Sequence, residues 1–176
     1  MKVLDLTVDL QQCSEWCWAA VTAAVCKCYG DSTPTRQCDV ANLVLQLPSD
    51  CCTDCNCQQD PSALCNQPRN LSSALDVVHH NRGNPVDGIP TLPFEVIQSD
   101  IDAGRPVVVE VTLDDLAASG HAVAIYGYTD DGTVLIADPM HPLDTISVRY
   151  ADLAAGAPAA LHGTWKAAYR TKGINE

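Results

Sequence analysis

Ten cysteines and five histidines are the residues of this 176-residue chain with the most chemistry to offer. Cys17 stands out among them because it joins a polar loop to an apolar run. From Cys17 onward, small and apolar residues recur at positions i, i+3, i+4, i+7, i+8 and i+11, the spacing of one helical face. The members of that face are Cys17, Ala20, Val21, Ala24, Val25 and Cys28. The pattern predicts a helix that begins just before Cys17 and stops at Gly30.

The start of this helix offers a favourable place for a nucleophile. With Ser14 as the N-cap, Cys17 takes the third helical position, where free backbone N–H groups and the helix dipole favour an anion. A thiolate is such an anion, and it is the nucleophilic form of cysteine. Cys17 could equally be a small buried residue or half of a disulfide. Its position alone does not separate these hypotheses, so its partners must decide.

A cysteine nucleophile needs a base within hydrogen-bond reach and a third group that orients the base. His121 opens a short apolar run that leads into the turn signal 129–133, and residues 134–138 form the predicted return strand. If the connecting loop has two or four residues, His121 and Asp138 share a face of this hairpin, whereas a three-residue loop would separate them. On a shared face, the Asp138 carboxylate can orient His121 and stabilise its charged form. We discount His141 as the base because no strand holds it.

Together these segments resemble the papain-like cysteine peptidase superfamily. That family has a Gln upstream of a Cys-Trp-Ala helix start, then His-Ala-Val and Gly-Tyr on a strand, and an Asn or Asp on the next strand. Here the elements stand in the same order as Gln11, Cys17-Trp18-Ala19, His121-Ala122-Val123, Gly127-Tyr128 and Asp138-Pro139. The residues just before Cys17 depart from the signature of papain itself. The Asp and the small size are similar to bacterial branches, among them leader-peptide peptidases of bacteriocin exporters and secreted effector proteases.

The resemblance implies catalytic roles for Cys17, His121 and Asp138. It also implies that a Gln side chain and the Cys17 N–H stabilise the oxyanion that develops in acyl transfer. The six-residue spacing of the family selects Gln11, and the adjacent Gln12 serves instead if the loop is one residue tighter. The leader-peptidase branch suggests substrates with small residues before the cut. No cofactor and no catalytic metal is implied.

Eight of the ten cysteines crowd into residues 26–65, at positions 26, 28, 38, 51, 52, 55, 57 and 65. Residues 49–61 have too little apolar content to pack by burial alone, so they need cross-links or a metal. We favour four disulfides among these eight cysteines, because they are many, spread out and without a histidine inside the segment. Zinc bound by Cys52, Cys55 and Cys57 is the alternative. Cys13 then remains a leftover thiol, either buried or open to regulatory oxidation.

Further patterns predict the elements around these residues. Strands are predicted at 1–10, 107–112, 146–150 and 163–170, and the strand at 107–112 is expected to be central in the sheet. Helices are predicted at 37–47, 71–78 and 93–103. His79 and His80 are expected on a solvated turn, where interaction with the helix dipole is favoured over a metal role. The segment 113–120, with Asp114 and Asp115, is expected to line one side of the substrate cleft.

Composition narrows the class of partner. A net charge of −12 and a pI near 4.5 argue against nucleic acid and anionic membranes, since both would repel the chain. No run approaches the roughly 18 apolar residues of a membrane span, so membrane insertion is not expected. We expect a monomer with a peptide or protein substrate. The cysteine content predicts a secreted protein or another oxidising, extracytoplasmic compartment.

The sequence therefore predicts an α+β, papain-like fold in a single domain, 1–176. Its helical, cysteine-rich part spans about 11–104 and its antiparallel β-sheet part about 105–176. The predicted function is peptide-bond hydrolysis through a thioester on Cys17, with His121, Asp138 and Gln11 assisting. A transpeptidase or peptide-tailoring acyltransferase would use the same thioester. A non-enzymatic metal-binding or redox module, in which the triad is coincidental, is a third hypothesis.

Overall fold

The computed structural model describes residues 1–57, 59–60, 62–113, 120–156 and 163–176. After one short N-terminal strand, the chain forms four helices: α1 (Cys17–Cys28), α2 (Gln37–Leu45), α3 (Leu71–Val77) and α4 (Phe94–Asp102). The strands are β1 (Lys2–Val3), β2 (Val107–Leu113), β3 (Gly120–Tyr128), β4 (Thr133–Ala137), β5 (Ile146–Arg149) and β6 (Gly163–Arg170), with a short helix α5 (Tyr150–Ala154) before the last strand. The predicted α+β class, with helices in the first half and an antiparallel sheet in the second, is confirmed.

The sheet is covered by helices on both faces. Its strand order is β5-β4-β3-β2-β6, and β1 adds to β3, so β2 lies inside the sheet as predicted. Val108 and Ala124 face a core shared with α1, α2 and α3, whereas Val107 and Val109 face a second core shared with α4 and α5. Because both faces are buried, β2 carries a continuous valine run instead of an alternating pattern.

The β3–β4 hairpin closes with an odd spacing between paired residues. The strand bounds leave four residues, 129–132, between β3 and β4, but Tyr128 pairs with Val134, so an odd number of residues, five, separates these paired positions. The sequence left this parity open, and counted between paired residues it is odd, the case expected to separate His121 from Asp138. However, Tyr126 is an extra residue on β3, and beyond this bulge Ile125 pairs with Ile136. The bulge reverses the change of face that an odd loop imposes.

This register decides where the polar ends of the two strands lie. When the register is extended two residues beyond the Ile125–Ile136 pair, Asp138 comes to lie opposite Val123. His121 is one row further along the same face of β3. Diagonal neighbours of this kind are within reach of long side chains. The hairpin thus brings His121 and Asp138 to one face at the end of the sheet where β3 begins.

Ser14 does not cap α1. The helix begins at Cys17, with Trp16 in the N-cap position and no side-chain cap. Residues 13–16 form a turn in which the Trp16 N–H donates to the Cys13 carbonyl at 3.0 Å. Ser14 Oγ instead accepts a hydrogen bond from Asn66 Nδ2 at 2.9 Å. Cys17 is consequently the first helical residue and not the third, and its N–H has no intrahelical acceptor.

Other boundaries also differ from prediction. The strand predicted at 1–10 is limited to Lys2–Val3, because β2 occupies the same edge of β3 from Ile125 back to Gly120. The helix α2 ends at Leu45 because Gln46 adopts a left-handed conformation with φ of 50°. Helix α5 (Tyr150–Ala154) was not predicted.

Six cysteines form three disulfides, which are Cys13–Cys57, Cys38–Cys52 and Cys51–Cys65. The prediction of four disulfides among the eight cysteines of 26–65 is wrong, and Cys13 is not a leftover thiol. Cys26 and Cys28 remain thiols near the C-terminal end of α1. Of the suggested zinc ligands, only Cys55 keeps a thiol. The three disulfides indicate an oxidising environment.

His80 is not on a solvated turn. Its side chain is fully buried, with Nε2 at 2.8 Å from Asp31 Oδ2 and Nδ1 at 2.7 Å from the Lys172 carbonyl. His79, by contrast, is exposed. The prediction failed because the turn after α3 folds His80 inward against the end of α1.

Asp114 and Asp115, expected to line the cleft, lie outside the residues that the structure describes.

Within the described ranges, no helix combines the length and apolar character needed to cross a membrane.

Candidate active site

Cys17 lies where the helical part meets the sheet. Its side chain is half-buried, and its Sγ lies 4.0 Å from the carbonyl oxygen of Gly120 at the start of β3. A cavity of about 320 Å³ opens beside it. The walls of this cavity come from both parts of the chain and include Trp18, Leu71, Ala122, Lys166 and Tyr169. The cysteine is therefore held on a rigid helix end and open to a ligand.

Two indole rings fix the backbone on either side of Cys17. Trp16 Nε1 donates to the Cys65 carbonyl at 2.7 Å, and Trp18 Nε1 donates to the Gln67 carbonyl at 3.0 Å. Both tryptophans are almost fully buried, so these hydrogen bonds also satisfy polar groups that water cannot reach. Sequence analysis missed this support from residues 65–67. The signal was the Trp-Cys-Trp run, because a buried indole N–H usually needs an acceptor.

His121 and Asp138 form a buried pair. His121 Nε2 lies 2.7 Å from Asp138 Oδ1, and the two residues are only 4% and 6% exposed. The backbone N–H of Met140 donates to the same Oδ1 at 2.8 Å, which fixes the carboxylate. The Cys17 side chain is close enough to His121 to raise the pKa of the imidazole together with Asp138. The structure thus brings together all three residues predicted as a triad.

The electrostatics of this pair favour opposite charges. Burial alone would lower the pKa of His121, but the hydrogen bonds and charges of Asp138 and Cys17 outweigh burial and raise it from 6.5 to about 9. Burial alone would raise the pKa of Asp138, but the hydrogen bond and charge of His121, with the Met140 N–H, hold it below its usual value. At neutral pH the arrangement therefore supports an imidazolium beside a carboxylate.

Gln11 is attached to both sides of the site. Its backbone N–H donates to the Pro139 carbonyl at 2.9 Å, next to Asp138. Its side-chain Nε2 donates to the carbonyls of Ser14 at 2.8 Å and Cys13 at 3.2 Å, in the turn that leads to α1. Its Oε1 is buried and meets no donor among the described residues.

The side chains of Gln12 and His141 lie elsewhere. Gln12 is exposed, its N–H donates to Gln37 Oε1 at 2.9 Å, and its side chain borders a separate cavity of about 350 Å³ on the disulfide side. The ring of His141 is 59% exposed, and its Nδ1 lies 4.0 Å from Asp144 Oδ2. The backbone of His141 does contact the triad, because its N–H donates to the Asp138 carbonyl at 3.0 Å.

The far wall of the cavity carries a charge network that sequence analysis did not find. Glu110 accepts hydrogen bonds from Lys166 Nζ at 2.6 Å and from the Tyr169 hydroxyl at 3.1 Å. Gly120 leaves room for this carboxylate, because a Cβ at that position would collide with Glu110. Glu110 is the single charge on the valine-rich strand β2, where it pairs with Ala167 of β6 next to a register shift.

A cysteine at a helix start, packed against an antiparallel sheet that carries a histidine and a carboxylate, defines the papain-like fold of cysteine peptidases. The chain belongs to the Peptidase_C39 like family, whose model matches residues 4–172. It is also similar to the solved peptidase domain of Streptococcus ComA, a bifunctional ABC transporter involved in a quorum-sensing pathway. That likeness has 15% identity and a TM-score of 0.56 over 94% of this chain and 96% of the other. At that identity it shows the fold alone.

No curated protein sequence matches the chain. The family and the fold confirm the resemblance to small papain-like peptidases of the bacteriocin leader-peptidase type. Both support a cysteine peptidase. They give no support to the acyltransferase hypothesis or to the metal-binding or redox module.

Proposed function

We propose that the chain is a cysteine peptidase that hydrolyses peptide bonds, with Cys17 as nucleophile, His121 as acid and base, and Asp138 as the group that orients His121. One observation carries the proposal: a buried imidazole is bonded to a carboxylate at 2.7 Å, and a half-exposed cysteine at a helix start is close enough to raise its pKa. This is the arrangement that nucleophilic catalysis by cysteine requires. Membership of a peptidase family supports it.

In the acylation step, the Cys17 thiolate attacks the carbonyl carbon of the scissile amide and forms a C–S bond. The protonated His121 then donates its proton to the amide nitrogen, and the C–N bond breaks to release an amine. The raised pKa of His121 keeps this proton available at neutral pH. Asp138 stabilises the charged ring and keeps its other nitrogen turned toward Cys17.

In the deacylation step, water attacks the thioester. Neutral His121 takes a proton from this water, and the acyl group leaves as a carboxylic acid. The C–S bond breaks, and the ion pair of Cys17 and His121 is restored. Hydrolysis then requires only that water reaches the thioester, which the open cavity beside Cys17 permits.

We assign the oxyanion site to the Cys17 N–H and to Gln11 Nε2. As the first residue of α1, Cys17 offers an N–H without an intrahelical acceptor. Gln11 Nε2 already lies along the turn before Cys17, and the longer of its two hydrogen bonds, to Cys13 at 3.2 Å, is the one we expect it to exchange for the oxyanion. Gln12 is a weaker candidate, because its side chain borders the other cavity.

We further propose that the chain is one domain, 1–176, that acts as a monomer on peptides in an oxidising, extracytoplasmic compartment. The disulfides support the compartment. Gly120 and Ala122 line the cavity beside Cys17, and the sequence motifs of the chain resemble those of leader peptidases. We therefore expect small residues before the cut.

The test is cleavage of a peptide library by the wild-type protein, Cys17→Ala and Cys28→Ala, with products identified by mass spectrometry. Cys28 is a matched control because it is a reduced, half-buried cysteine on the same helix. We expect cleavage by wild type and Cys28→Ala and none by Cys17→Ala. An added amine separates the two acyl fates: hydrolysis leaves mainly free acids, whereas a transpeptidase would leave mainly the new amide. Equal cleavage by Cys17→Ala would overturn the proposal.

A further inference from the structure

Two helices end beside each other, away from the proposed catalytic site. Gly30 follows the C-cap of α1 and adopts a left-handed conformation with a φ of 79°. Its N–H donates to the Lys27 carbonyl at 2.9 Å. The N–H of Asp31 then donates to the Cys26 carbonyl at 3.0 Å. These two bonds form a Schellman motif. The motif folds the chain back so that Asp31 lies beside Cys26.

Helix α3 ends in the same way. His79 takes the left-handed position with a φ of 64°, and its N–H donates to the Asp76 carbonyl at 3.0 Å. The N–H of His80 donates to the Leu75 carbonyl at 2.9 Å. His80 is thus the counterpart of Asp31 in the second motif. The two counterparts meet, with Asp31 Oδ2 at 2.8 Å from His80 Nε2.

Cys26, Asp31 and His80 form a compact cluster of three metal-ligating types. Their ligand atoms all lie within 4.8 Å of one another. Cys26 and His80 are 0% exposed, so no peptide can reach them, whereas the Asp31 side chain is 12% exposed and leaves one side open to a small ion. Cys26 remains a thiol although six other cysteines form disulfides.

The orientation of His80 points to a cation. Its Nδ1 lies 2.7 Å from the Lys172 carbonyl, which can only accept, so Nδ1 carries a hydrogen. The other nitrogen, Nε2, lies 2.8 Å from Asp31 Oδ2 and is the one left to bind a metal. A backbone carbonyl on the other ring nitrogen is the usual outer partner of a metal-binding histidine. Tyr29 stacks on the ring at a centroid distance of 4.6 Å and holds its plane.

We propose that Cys26, Asp31 and His80 bind a structural zinc ion. Zinc takes sulfur, nitrogen and oxygen ligands in tetrahedral geometry, which holds neighbouring ligand atoms about 3.3–3.6 Å apart. The cluster reaches that spacing if the Asp31 side chain, its partly exposed member, moves slightly. Zn²⁺ then replaces the thiol proton and the proton between His80 and Asp31, which leave to solvent, and water completes the coordination.

The role of this ion is to join the end of α1 to the end of α3. Cys26 is nine residues beyond Cys17, about 14 Å along the helix, so the zinc site does not touch the catalytic residues. Unlike the zinc alternative among Cys52, Cys55 and Cys57, it uses no cysteine that the disulfides occupy. The competing view is a plain ion pair between His80 and Asp31 that binds no metal, and the experiment below separates the two.

The experiment adds Co²⁺ to the disulfide-intact full chain and records the absorption spectrum. We expect one equivalent per chain, with tetrahedral d–d bands and a thiolate-to-cobalt charge-transfer band. Added Zn²⁺ should displace the Co²⁺ and raise the thermal unfolding midpoint, because a ligand that binds only the native state stabilises it. In Cys26→Ser the charge-transfer band should disappear and Zn²⁺ affinity should fall by more than about 100-fold, beyond the typical loss for an outer-shell change.

Controls keep the result interpretable. Cys28→Ser and Cys17→Ala should both retain the full cobalt spectrum, and Asp31→Asn, a change at a partly exposed side chain, should weaken binding. Circular dichroism without metal checks that each variant folds. If the folded wild-type chain binds neither Co²⁺ nor Zn²⁺ below millimolar concentration, or if Cys26→Ser keeps the charge-transfer band, the cluster is an ion pair and the zinc site does not exist.

Discussion

His121 Nε2 lies 2.7 Å from Asp138 Oδ1 across a hairpin, between residues that are 17 positions apart in the chain. The contact depends on Tyr126, the extra residue on β3 that restores the register after an odd loop. Without the bulge, one of the two side chains would turn to the opposite face. The bulge is therefore part of what positions the proposed catalytic pair, and bulges are common next to active sites.

Substitutions of Asp138 should separate its charge from its hydrogen bond. In Asp138→Asn the side-chain oxygen can still accept from His121 and from Met140, but the negative charge is lost. We expect kcat/KM to fall by about 10-fold in Asp138→Asn and by about 100-fold or more in Asp138→Ala, where the orienting bond is lost too. Peptide hydrolysis rates for both variants check this order. Equal rates in wild type and Asp138→Ala would exclude Asp138 from the mechanism.

The pH dependence follows from the raised pKa of His121. Hydrolysis needs the imidazolium to protonate the leaving amine, so kcat/KM should fall as the pH rises through about 9. In Asp138→Asn this alkaline limb should move to lower pH, because the charge that stabilises the imidazolium is gone. A pH–rate profile and NMR titration of the His121 ring measure both values. A limb that stays in place in Asp138→Asn would contradict the assignment.

The same shift predicts how stability changes with pH. Because folding raises the pKa of His121 from 6.5 to about 9, its charged form stabilises the fold fully below about pH 6.5. That contribution is lost as the pH rises through 9. Asp138 behaves in the opposite way: its pKa is lowered, so its contribution is present at neutral pH and is lost in acid. Urea unfolding of wild type and His121→Gln at pH 6 and pH 10 should show a smaller difference at pH 10.

Gln11 and Gln12 are a natural matched pair for the oxyanion site. We expect Gln11→Ala to lower kcat by about 10²–10³-fold, the usual cost of losing one oxyanion donor. Gln12→Ala, which removes an exposed side chain from the other cavity, should remain close to wild type. Steady-state kinetics on one peptide compares them. The reverse order would transfer the role to Gln12.

Asp100 should be a main electrostatic support of the fold. Its carboxylate is 0% exposed and receives Arg82 at 2.6 Å, Arg105 at 3.1 Å and Arg170 at 2.6 Å, which ties α4 to β6. Burial raises the pKa of Asp100, but the arginines outweigh burial and lower it. Asp100→Asn removes the buried carboxylate that three arginines share and should cost about 3–5 kcal/mol of unfolding free energy. Urea denaturation measures this loss.

The control for Asp100 is the exposed ion pair of Lys27 and Asp9. Asp9→Asn should cost less than about 1 kcal/mol, because solvent screens an exposed pair. If Asp100→Asn is no more destabilising than Asp9→Asn, the buried cluster does not support the fold in this way.

Hydrophobic periodicity predicted helices in the first half and strands in the second, because the helical face that begins at Cys17 and the apolar run after His121 have different patterns. The papain-like arrangement of these elements came from the resemblance to that family. The pattern of residue types also selected the residues that the structure brings together. It could not give the disulfides, since Cys13 and Cys57 become neighbours only after the loop between them folds. Nor could it place His80, because its burial depends on two separate helix ends that meet at Asp31.

The most direct test of the central claim is intact mass after treatment with a small thiol-reactive epoxide, without reduction, on wild type and Cys17→Ala. Four cysteines, Cys17, Cys26, Cys28 and Cys55, have free thiols. Peptide mapping of the labelled protein can therefore show which of the four carries an adduct. We predict one adduct on wild type, located at Cys17 by peptide mapping, and none on Cys17→Ala. An adduct of equal yield on Cys17→Ala, or a wild-type protein that takes none, would contradict the assignment of Cys17 as an activated nucleophile.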